Sequence, residues 1–457
     1  MRSSGSIGVS PVTGSIGVPP VTGSIGVSPV TGSIGVPPVT GSIGVPPVTG
    51  SIGVPPVTGS IGVPPVRSCL SLPIMAVALS AVVLLMTASA NGQADSARRV
   101  LQAAAYVDAE GQIAKGGVLV IDGEKIVQLG GDPPADLPVD AYPGAVLCPG
   151  LIDCHSALGA LGGLSERQQA VQPRVNARDA FDRYSRQLRQ ALAAGVTTFA
   201  LAPDDRNLIG GQIAICQTAG PDGRPRLLTN AGPLKLSLSA QTFRPDRDPT
   251  SRSGALGLLR ETIEGGRGSS RAAAGSDDPV TAFAAGRLTG FVTAPSGADV
   301  LACLQLAQDY GLRLVPIHTV DARRVAETVA GRVAGIVIGP FDLTTGQRAA
   351  VAAGLFARHG TPVAIAGGLP TSPPDSLRLA AAVAARAGLA PPAARRAITA
   401  VPAELLGIGD RVGELSAGHQ ADVVVFSGDP LDLRSRVLAV YVAGRRAYWA
   451  QAAGEQR

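Results

Sequence analysis

The stretch ADVLACLQLAQDYG (298–311) is followed at once by LRLVPIH (312–318), an Ala-rich helix and then a short apolar strand. The same order recurs three more times. These pairs are 180–195 with 196–203, 322–332 with 334–340, and 345–360 with 361–368. Helix–strand alternation of this kind indicates a parallel sheet, and about eight such units in about 260 residues favour an α/β fold of the TIM-barrel type.

Both ends of this alternating region read as strands. GGVLVIDGEKIVQLGG (116–131) places two apolar runs around Asp122-Gly123, a strong hairpin pattern. ADVVVFSGD (421–429) and LAVYVAGRRAYW (438–449) are further strands, and the second turns at Ala443-Gly444. The Gly- and Arg-rich stretch 244–280 shows no clear period and is predicted to be an irregular insertion or surface loop.

The first 66 residues differ from the rest in composition. Residues 4–66 are seven copies of a nine-residue unit, TGSIGVPPV with small variations. Nine residues is short for a packed repeat, and paired prolines interrupt a strand ladder. We expect a disordered or polyproline-like tract. A translated DNA repeat upstream of the true start explains the pattern equally well, and an adhesive repeat is a third interpretation.

Residues 67–94 have the pattern of a targeting segment. Arg67 precedes the apolar run 74–90, which ends in Ala88-Ser89-Ala90. This is typical of a signal peptide, and an uncleaved membrane anchor is the alternative. Both predict an exported protein in the periplasm, in the cell envelope or secreted. Contact with a membrane is expected only through 74–90, if that run stays uncleaved.

Composition excludes several classes of protein. Of 457 residues, 45% are hydrophobic, so a large core can form. The formal net charge is only +5, the arginines are scattered and aromatics are 3%, so no nucleic-acid partner is expected. The five cysteines show neither a zinc-finger spacing nor a disulfide framework. There are four histidines, which limits any metal site.

The segment VLCPGLIDCH (146–155) resembles the first-strand signature of the amidohydrolase superfamily, PGLIDxHxH. AAGVTTFALAP (193–203) and the Gly-Gly-Gln segment 207–220 resemble later segments of its exported, imidazolonepropionase-like members. LAPPAARRAITAVPAELLGIGDRVGELSAGHQADVVVFSGDPLD (389–432) resembles the terminal stretch of the family. The resemblance, over about residues 98–449, implies a metal-dependent-hydrolase (β/α)₈ barrel over 147–408. It also implies a small β-sandwich built from 95–146 and 409–457.

The resemblance further implies hydrolysis of C–N bonds by water activated on one or two zinc ions. His155 matches the first histidine of the strand-one pair, and His318 matches the strand-six histidine. These two residues are the predicted metal ligands. Strand alternation places His155 inside the barrel and Cys154 outside it.

The other ligand positions have lost their ligands. The second histidine of strand one is replaced by Ala157, the strand-five histidine by Thr293, and the strand-eight Asp by Gly368. Gln217 stands where relatives often carry a lysine that is carboxylated to bridge two metals. None of these side chains supplies the carboxylate or imidazole that zinc needs.

The remaining candidate groups have ordinary interpretations. His359 ends a helix and is expected on the opposite rim of the barrel, and His419 lies in an exposed turn. Asp204 and Asp205 follow a barrel strand; they are helix N-caps in the favoured interpretation and pocket residues in the alternative.

Two functional hypotheses follow from these replacements. The first is a catalytically degenerate amidohydrolase homologue that acts as a binding or partner subunit, with a second copy or an active paralogue as its partner. The second is a working hydrolase of cyclic amides or other C–N bonds with a reduced metal site. No cofactor is expected under the first hypothesis, and zinc is expected under the second.

Overall fold

A computed structural model describes residues 98–229, 231–272, 278–341 and 346–450. The predictions for the repeats 1–66 and for the segment 67–94 lie outside the described residues. No helix in the described part of the chain combines the length and the apolar composition needed to cross a membrane.

Strands and helices alternate through most of the described chain, with strands alone near both ends. The strands are β1 Arg99–Val107, β2 Ile113–Asp122, β3 Lys125–Leu129, β4 Val139–Pro149, β5 Leu151–Ser156, β6 Val196–Leu201, β7 Ile209–Gln212, β8 Ala214–Gln217, β9 Arg226–Leu227, β10 Leu234–Ser237, β11 Gly290–Thr293, β12 Leu314–Ile317, β13 Ile336–Ile338, β14 Val363–Ile365, β15 Val423–Phe426, β16 Val437–Val442 and β17 Arg445–Trp449. The α-helices are α1 Arg186–Ala193, α2 Arg252–Ala272, α3 Pro279–Ala284, α4 Gly297–Tyr310, α5 Ala322–Val329, α6 Gly346–Arg358, α7 Ser376–Arg386, α8 Pro391–Arg396 and α9 Ala400–Leu406.

The two ends of the described chain meet in one seven-stranded sheet, in the order β17-β16-β15-β4-β1-β2-β3. Strand β4 is its centre, parallel to β1 on one side and antiparallel to β15 on the other. Leu101, Leu147, Val425 and Tyr441 belong to one buried cluster on this sheet, so residues from both ends share a core. The predicted association of the two ends is thereby explained by pairing and by burial.

Both predicted hairpins are present. Val442 pairs with Arg445, which leaves Ala443 and Gly444 as a two-residue turn with φ of 50° and 75°, as the sequence predicted. In the first hairpin Asp122 pairs with Lys125. Its turn is therefore Gly123 and the residue after it, one position later than predicted.

The predicted barrel wall is formed by two sheets. One has the order β14-β13-β12-β11-β10-β7 and the other β5-β6-β8-β9, with parallel pairing from β10 to β14 and between β5 and β6. Alternate residues of these strands enclose one apolar interior. Its members include Ile152, Ala200, Ile215, Phe291, Ile317, Val337 and Ala364. Ladder pairing does not close the ring at β5 and β14 in the described residues; there the Gly367 amide donates to the Asp153 carboxylate at 3.1 Å.

The prediction of an irregular insertion over 244–280 was wrong. Most of that stretch is α2, a 21-residue helix. Ala255, Leu259 and Ile263 lie at four-residue spacing and are buried, so one helix face packs against the barrel side. A Cβ at Gly266 would lie 2.8 Å from a methyl carbon of Val280, so this glycine permits close approach of α3.

Candidate functional site

The structure brings the two predicted ligands together. His155 lies at the carboxyl end of β5, and His318 follows β12 directly. Their rings meet edge to face, with centroids 4.6 Å apart and planes at 83°. This is the end of the strands at which barrel enzymes place their active sites.

Both imidazoles line a pocket of about 410 Å³. Its remaining walls are mainly apolar or small, with a few polar groups. They include Ala157, Leu164, Pro203, Asp204, Asp205, Gln241, Pro340, Gly368, Leu369 and Thr371. A pocket of this volume, with few polar groups, suits a small organic molecule.

The conformation of His318 fixes which ring atom is available. Its Nδ1 lies against the backbone carbonyl oxygen of Gly339. A carbonyl can only accept, so Nδ1 carries the proton and Nε2 of the neutral ring keeps its lone pair. The backbone of His318 has φ of 61°, in the left-handed region that side chains other than glycine rarely adopt. Strained backbone of this kind is typical of functional sites.

A buried lysine, which sequence reasoning missed, lies beside the pocket. The Nζ of Lys235 on β10 donates to Asp205 Oδ1 at 2.5 Å, to Thr293 Oγ1 at 2.9 Å and to the Leu236 carbonyl at 3.1 Å. Its side chain is 1% exposed and that of Asp205 is 19% exposed. The clue in the sequence was a single charged residue inside an otherwise apolar and small run, LKLSLS (234–239).

This ion pair shapes the charges at the site. Burial raises the pKa of the Asp205 carboxyl, but the Lys235 ammonium and the two histidines outweigh it and hold that pKa below its ordinary value. Burial, with neighbouring His318 and Lys235, lowers the pKa of His155. Burial likewise lowers the pKa of His318, although Asp205 opposes this. Both imidazoles are therefore neutral near pH 7.

The three positions that lack a ligand lie at the same rim. Ala157 is exposed in the pocket, and its amide donates to the Leu369 carbonyl at 2.9 Å. Thr293 donates to Asp205 Oδ1 at 2.5 Å. Gly368 has φ of 73°, and a Cβ there would lie 2.5 Å from the Cβ of Pro340. Position 368 therefore excludes any larger side chain unless the backbone moves.

Two predictions from the sequence were wrong, one for a pair of aspartates and one for a glutamine. Asp204 and Asp205 were expected to be helix N-caps, but the chain continues into β7, and both line the pocket. Gln217 was expected at the metal site. It lies instead between the barrel and the terminal sheet, where its Nε2 donates to Asp422 Oδ2 at 2.7 Å and its Oε1 accepts from Arg226 at 2.9 Å.

The prediction that Cys154 faces out of the barrel was also wrong. Cys154 is fully buried in the apolar interior with Ile152, while His155 lines the pocket. Simple alternation fails because the register between β5 and β6 is irregular from Asp153 to Ser156. An irregularity of this kind changes the direction of the side chains that follow it.

The other two histidines lie away from the pocket. His359 is exposed just after α6, and His419 is in a turn of the terminal sheet region, where its Nε2 lies 3.0 Å from the Gly409 carbonyl oxygen. Neither lines the pocket with His155 and His318.

The residues present do not make up a catalytic zinc site. Zinc of that kind takes three protein ligands and a water. No group of three or more His, Cys, Asp or Glu side chains within the described ranges is close enough to hold an ion. Asp205, a carboxylate that lines the pocket with the two histidines, is bound to Lys235. One observation favours a missing partner, since Nε2 of His155 is buried and has no hydrogen-bond partner among the described residues.

Comparison of sequences supports the resemblance over part of the chain. The amidohydrolase-family model Amidohydro_3 matches residues 342–448. A stretch of 57 residues is 40% identical to the amidohydrolase tasK of Hapsidospora irregularis. That stretch is 12% of this chain and spans only 6% of the length of that protein.

Comparison of structures extends the likeness to the fold. An amidohydrolase from Thermotoga maritima MSB8 aligns with a TM-score of 0.70 at 23% identity, over 77% of this chain and all of that one. A prolidase solved with N-methylphosphonate-L-proline aligns with a TM-score of 0.50 at 19% identity, over 77% and 100%. The likeness to the amidohydrolase family is thus confirmed by sequence over residues 342–448, and the solved structures show a shared fold over about three quarters of the chain.

Proposed function

We propose that this protein is a catalytically degenerate amidohydrolase homologue that binds a small molecule or a partner protein without hydrolysing it. The observation that carries the proposal is the pairing of Asp205 with Lys235 beside two imidazoles for which the described residues supply no third ligand. A metal-activated water needs a bound ion and a group that takes its proton. Among the described residues two carboxylates line the pocket with the histidines, and each already faces a cation, Asp205 the Lys235 ammonium and Asp204 the Arg206 guanidinium.

The chain's own residues support binding rather than bond cleavage. The neutral His318 offers an acceptor nitrogen to the pocket, and Asp204 and Asp205 offer carboxylate oxygens. Leu164, Pro203 and Leu369 supply apolar surface around them. These groups can orient a small ligand through hydrogen bonds and exclude water from one side of it.

The test is a paired measurement on the purified protein. It is purified without added metal, its zinc content is determined by mass spectrometry, and N-acyl amino acids, dipeptides and cyclic amides are offered as substrates. We expect well below about one zinc per chain and no hydrolysis above background. Stoichiometric zinc, with metal-dependent hydrolysis that is abolished by His318→Ala, would overturn the proposal.

A second candidate is an active hydrolase of C–N bonds with a reduced metal site. Nε2 of buried His155, which has no partner in the described part of the chain, favours it, because a buried nitrogen of this kind usually has a hydrogen-bond partner or a ligand. In that case His155 and His318 would hold zinc, which would supply Lewis acidity. Lys235, and not a residue at position 217, would then correspond to the lysine that relatives often carry. As an ammonium bound to Asp205 it holds no metal.

We also propose that the protein is exported, to the periplasm, the cell envelope or the medium. The apolar run 74–90 and the small residues Ala88-Ser89-Ala90 support this. A second copy of the chain or an active amidohydrolase paralogue is the proposed partner. Chemical cross-linking of the protein in its host, followed by peptide identification, would reveal either one.

A further inference from the structure

Lys235 makes contacts of the kind that a resident ion makes. Its ammonium has three N–H donors and three acceptors within 3.1 Å, so its hydrogen-bonding capacity is filled. The acceptors are a carboxylate, a hydroxyl and a backbone carbonyl, all oxygen ligands. With a side chain only 1% exposed, Lys235 is a cation bound inside the protein.

These contacts join three separate elements at the carboxyl ends of the strands. Lys235 belongs to β10, Thr293 ends β11, and Asp205 lies in the connection after β6. Thr293 closes the set by donating to the same oxygen of Asp205 at 2.5 Å. Holding neighbouring strand ends and a loop together through oxygen atoms is the structural role that a bound metal ion plays in many proteins.

We propose that the Lys235 ammonium is the resident cation of this site and takes the place of a divalent metal ion. The proposal rests on the proposed function and deepens it, since it names what fills the site when no metal does. Asp205 Oδ1 accepts from both Lys235 and Thr293, so a divalent ion could take this oxygen only by displacing them. It would also meet the repulsion of a buried ammonium that water does not screen. Stability and ligand binding are then independent of divalent metal.

The first experiment uses the unaltered full chain. Thermal unfolding is followed with EDTA, and then with excess Zn²⁺ or Mn²⁺, each with and without bicarbonate. The inference expects the melting temperature to stay within about 1 °C throughout, because an ion that does not bind the native state cannot stabilise it. Intact-mass analysis should show no carboxyl group added to the chain.

Two results of that experiment would overturn the inference. One is a rise of several degrees with a divalent ion that EDTA reverses. The other is a carboxyl group on Lys235, located by peptide mapping, that appears together with bound metal. Neither depends on a variant that might fail to fold.

The second experiment is a double-mutant cycle with Lys235→Met and Asp205→Asn. Each single change leaves one buried charge unpaired, so each should lower the melting temperature by about 5 °C or more. The double change should recover at least about half of the summed loss, because no unpaired charge remains. The matched control is Arg244→Met with Asp246→Asn, an exposed pair at 2.8 Å, for which we expect almost no coupling.

If the decreases in melting temperature for Lys235→Met and Asp205→Asn are additive, the carboxylate does not hold the ammonium and the inference is wrong. The inference and the proposed function fail separately. Hydrolysis without any metal requirement would remove the proposed function and leave Lys235 as the resident cation. Reversible stabilisation by zinc without hydrolysis would do the reverse.

Discussion

The side-chain amide of Gln217 donates to the Asp422 carboxylate at 2.7 Å, across 205 residues of sequence. Gln217 ends strand β8 of the barrel wall, and Asp422 immediately precedes β15 of the terminal sheet. Both side chains are buried, and Asp422 also accepts from Gln420 at 2.9 Å and from the Ala443 amide at 2.8 Å. The sheet built by the chain ends is thus joined to the barrel by a buried polar network.

We predict that Gln217→Ala destabilises the protein by about 2–3 kcal/mol. The change leaves an oxygen of the buried Asp422 carboxylate without its donor and removes the acceptor of the Arg226 Nε, although that guanidinium keeps Glu124 and Gln420. Urea unfolding measures the loss. The control is Gln305→Ala, which removes an exposed hydrogen bond from the Gln305 amide to Asp309 and should cost no more than about 0.5 kcal/mol. Equal effects of the two changes would contradict a structural role for the network.

A second prediction concerns pH. At neutral pH Asp205→Asn should cost about 3–5 kcal/mol, since the buried Lys235 ammonium loses its counter-charge. The folded-state pKa of the Asp205 carboxyl is held below its ordinary value. The contribution of the ion pair to stability is therefore fully present above the pKa that this carboxyl has in the unfolded chain. It disappears as the pH falls through the lowered folded-state pKa. The difference in the free energy of unfolding between wild type and variant should therefore decrease as the pH falls from 5 towards 2.

Denaturant titrations at several pH values check this decrease. Asp246→Asn serves as the comparison, since its partner Arg244 is exposed and the pair contributes little at any pH. A difference for Asp205→Asn that stays constant with pH would contradict the ion-pair explanation.

The third prediction is that a carboxylate cannot simply be restored at position 368. Gly368→Asp, and even Gly368→Ala, should cost at least about 2 kcal/mol, because a Cβ would both adopt φ of 73° and collide with Pro340. Gly360→Ala is the matched control: its φ is 77°, but nothing lies near the added carbon, so only the backbone cost of about 1 kcal/mol remains. Unfolding midpoints distinguish the two.

Ala157→His behaves differently, because Ala157 faces the pocket. The protein should keep its stability and gain a third imidazole near His155 and His318. Adding Gly368→Asp to this variant would place a carboxylate at the strand-eight position that the resemblance implies for a ligand. The structure predicts that the gain comes from Ala157→His alone and that the second change lowers the yield of folded protein. Zinc content per folded chain for the three variants tests this.

The fourth prediction is that the mature exported protein begins within about ten residues after Ala90, as its small-residue cleavage pattern indicates. N-terminal sequencing of protein recovered from the host settles the point. Recovery of mature chains that still carry the TGSIGVPPV repeats would contradict it.

Much of the fold was predictable because the hydrophobic periodicity of a segment and the residue types at its turns indicate the same structure. The turn at Ala443 and Gly444 and the strand–helix alternation of 298–368 are examples. Helix α2 was missed because its glycines lower helix propensity, although Ala255, Leu259 and Ile263 already repeat every four residues. Burial of that face outweighs the weak propensity.

The candidate site was predictable only in part. His155 and His318 were found because a resemblance fixed their register, and the structure places their rings in contact. Lys235 was missed because its role depends on Asp205 and Thr293, which are distant in sequence and meet only in the folded barrel. Cys154 was misplaced because an irregular register cannot be seen in a single strand.

Strand β4 has a consequence for how the chain is made. Its residue Val146 pairs with Phe426, about 280 residues later, while its other edge pairs with β1. During synthesis, residues 146–149 at the end of β4 therefore present an unpaired apolar edge until the ribosome has produced nearly the whole barrel. Such edges invite pairing with other chains. A chain that stops before residue 423 should therefore aggregate. A chaperone that protects the nascent protein would have to bind at this edge.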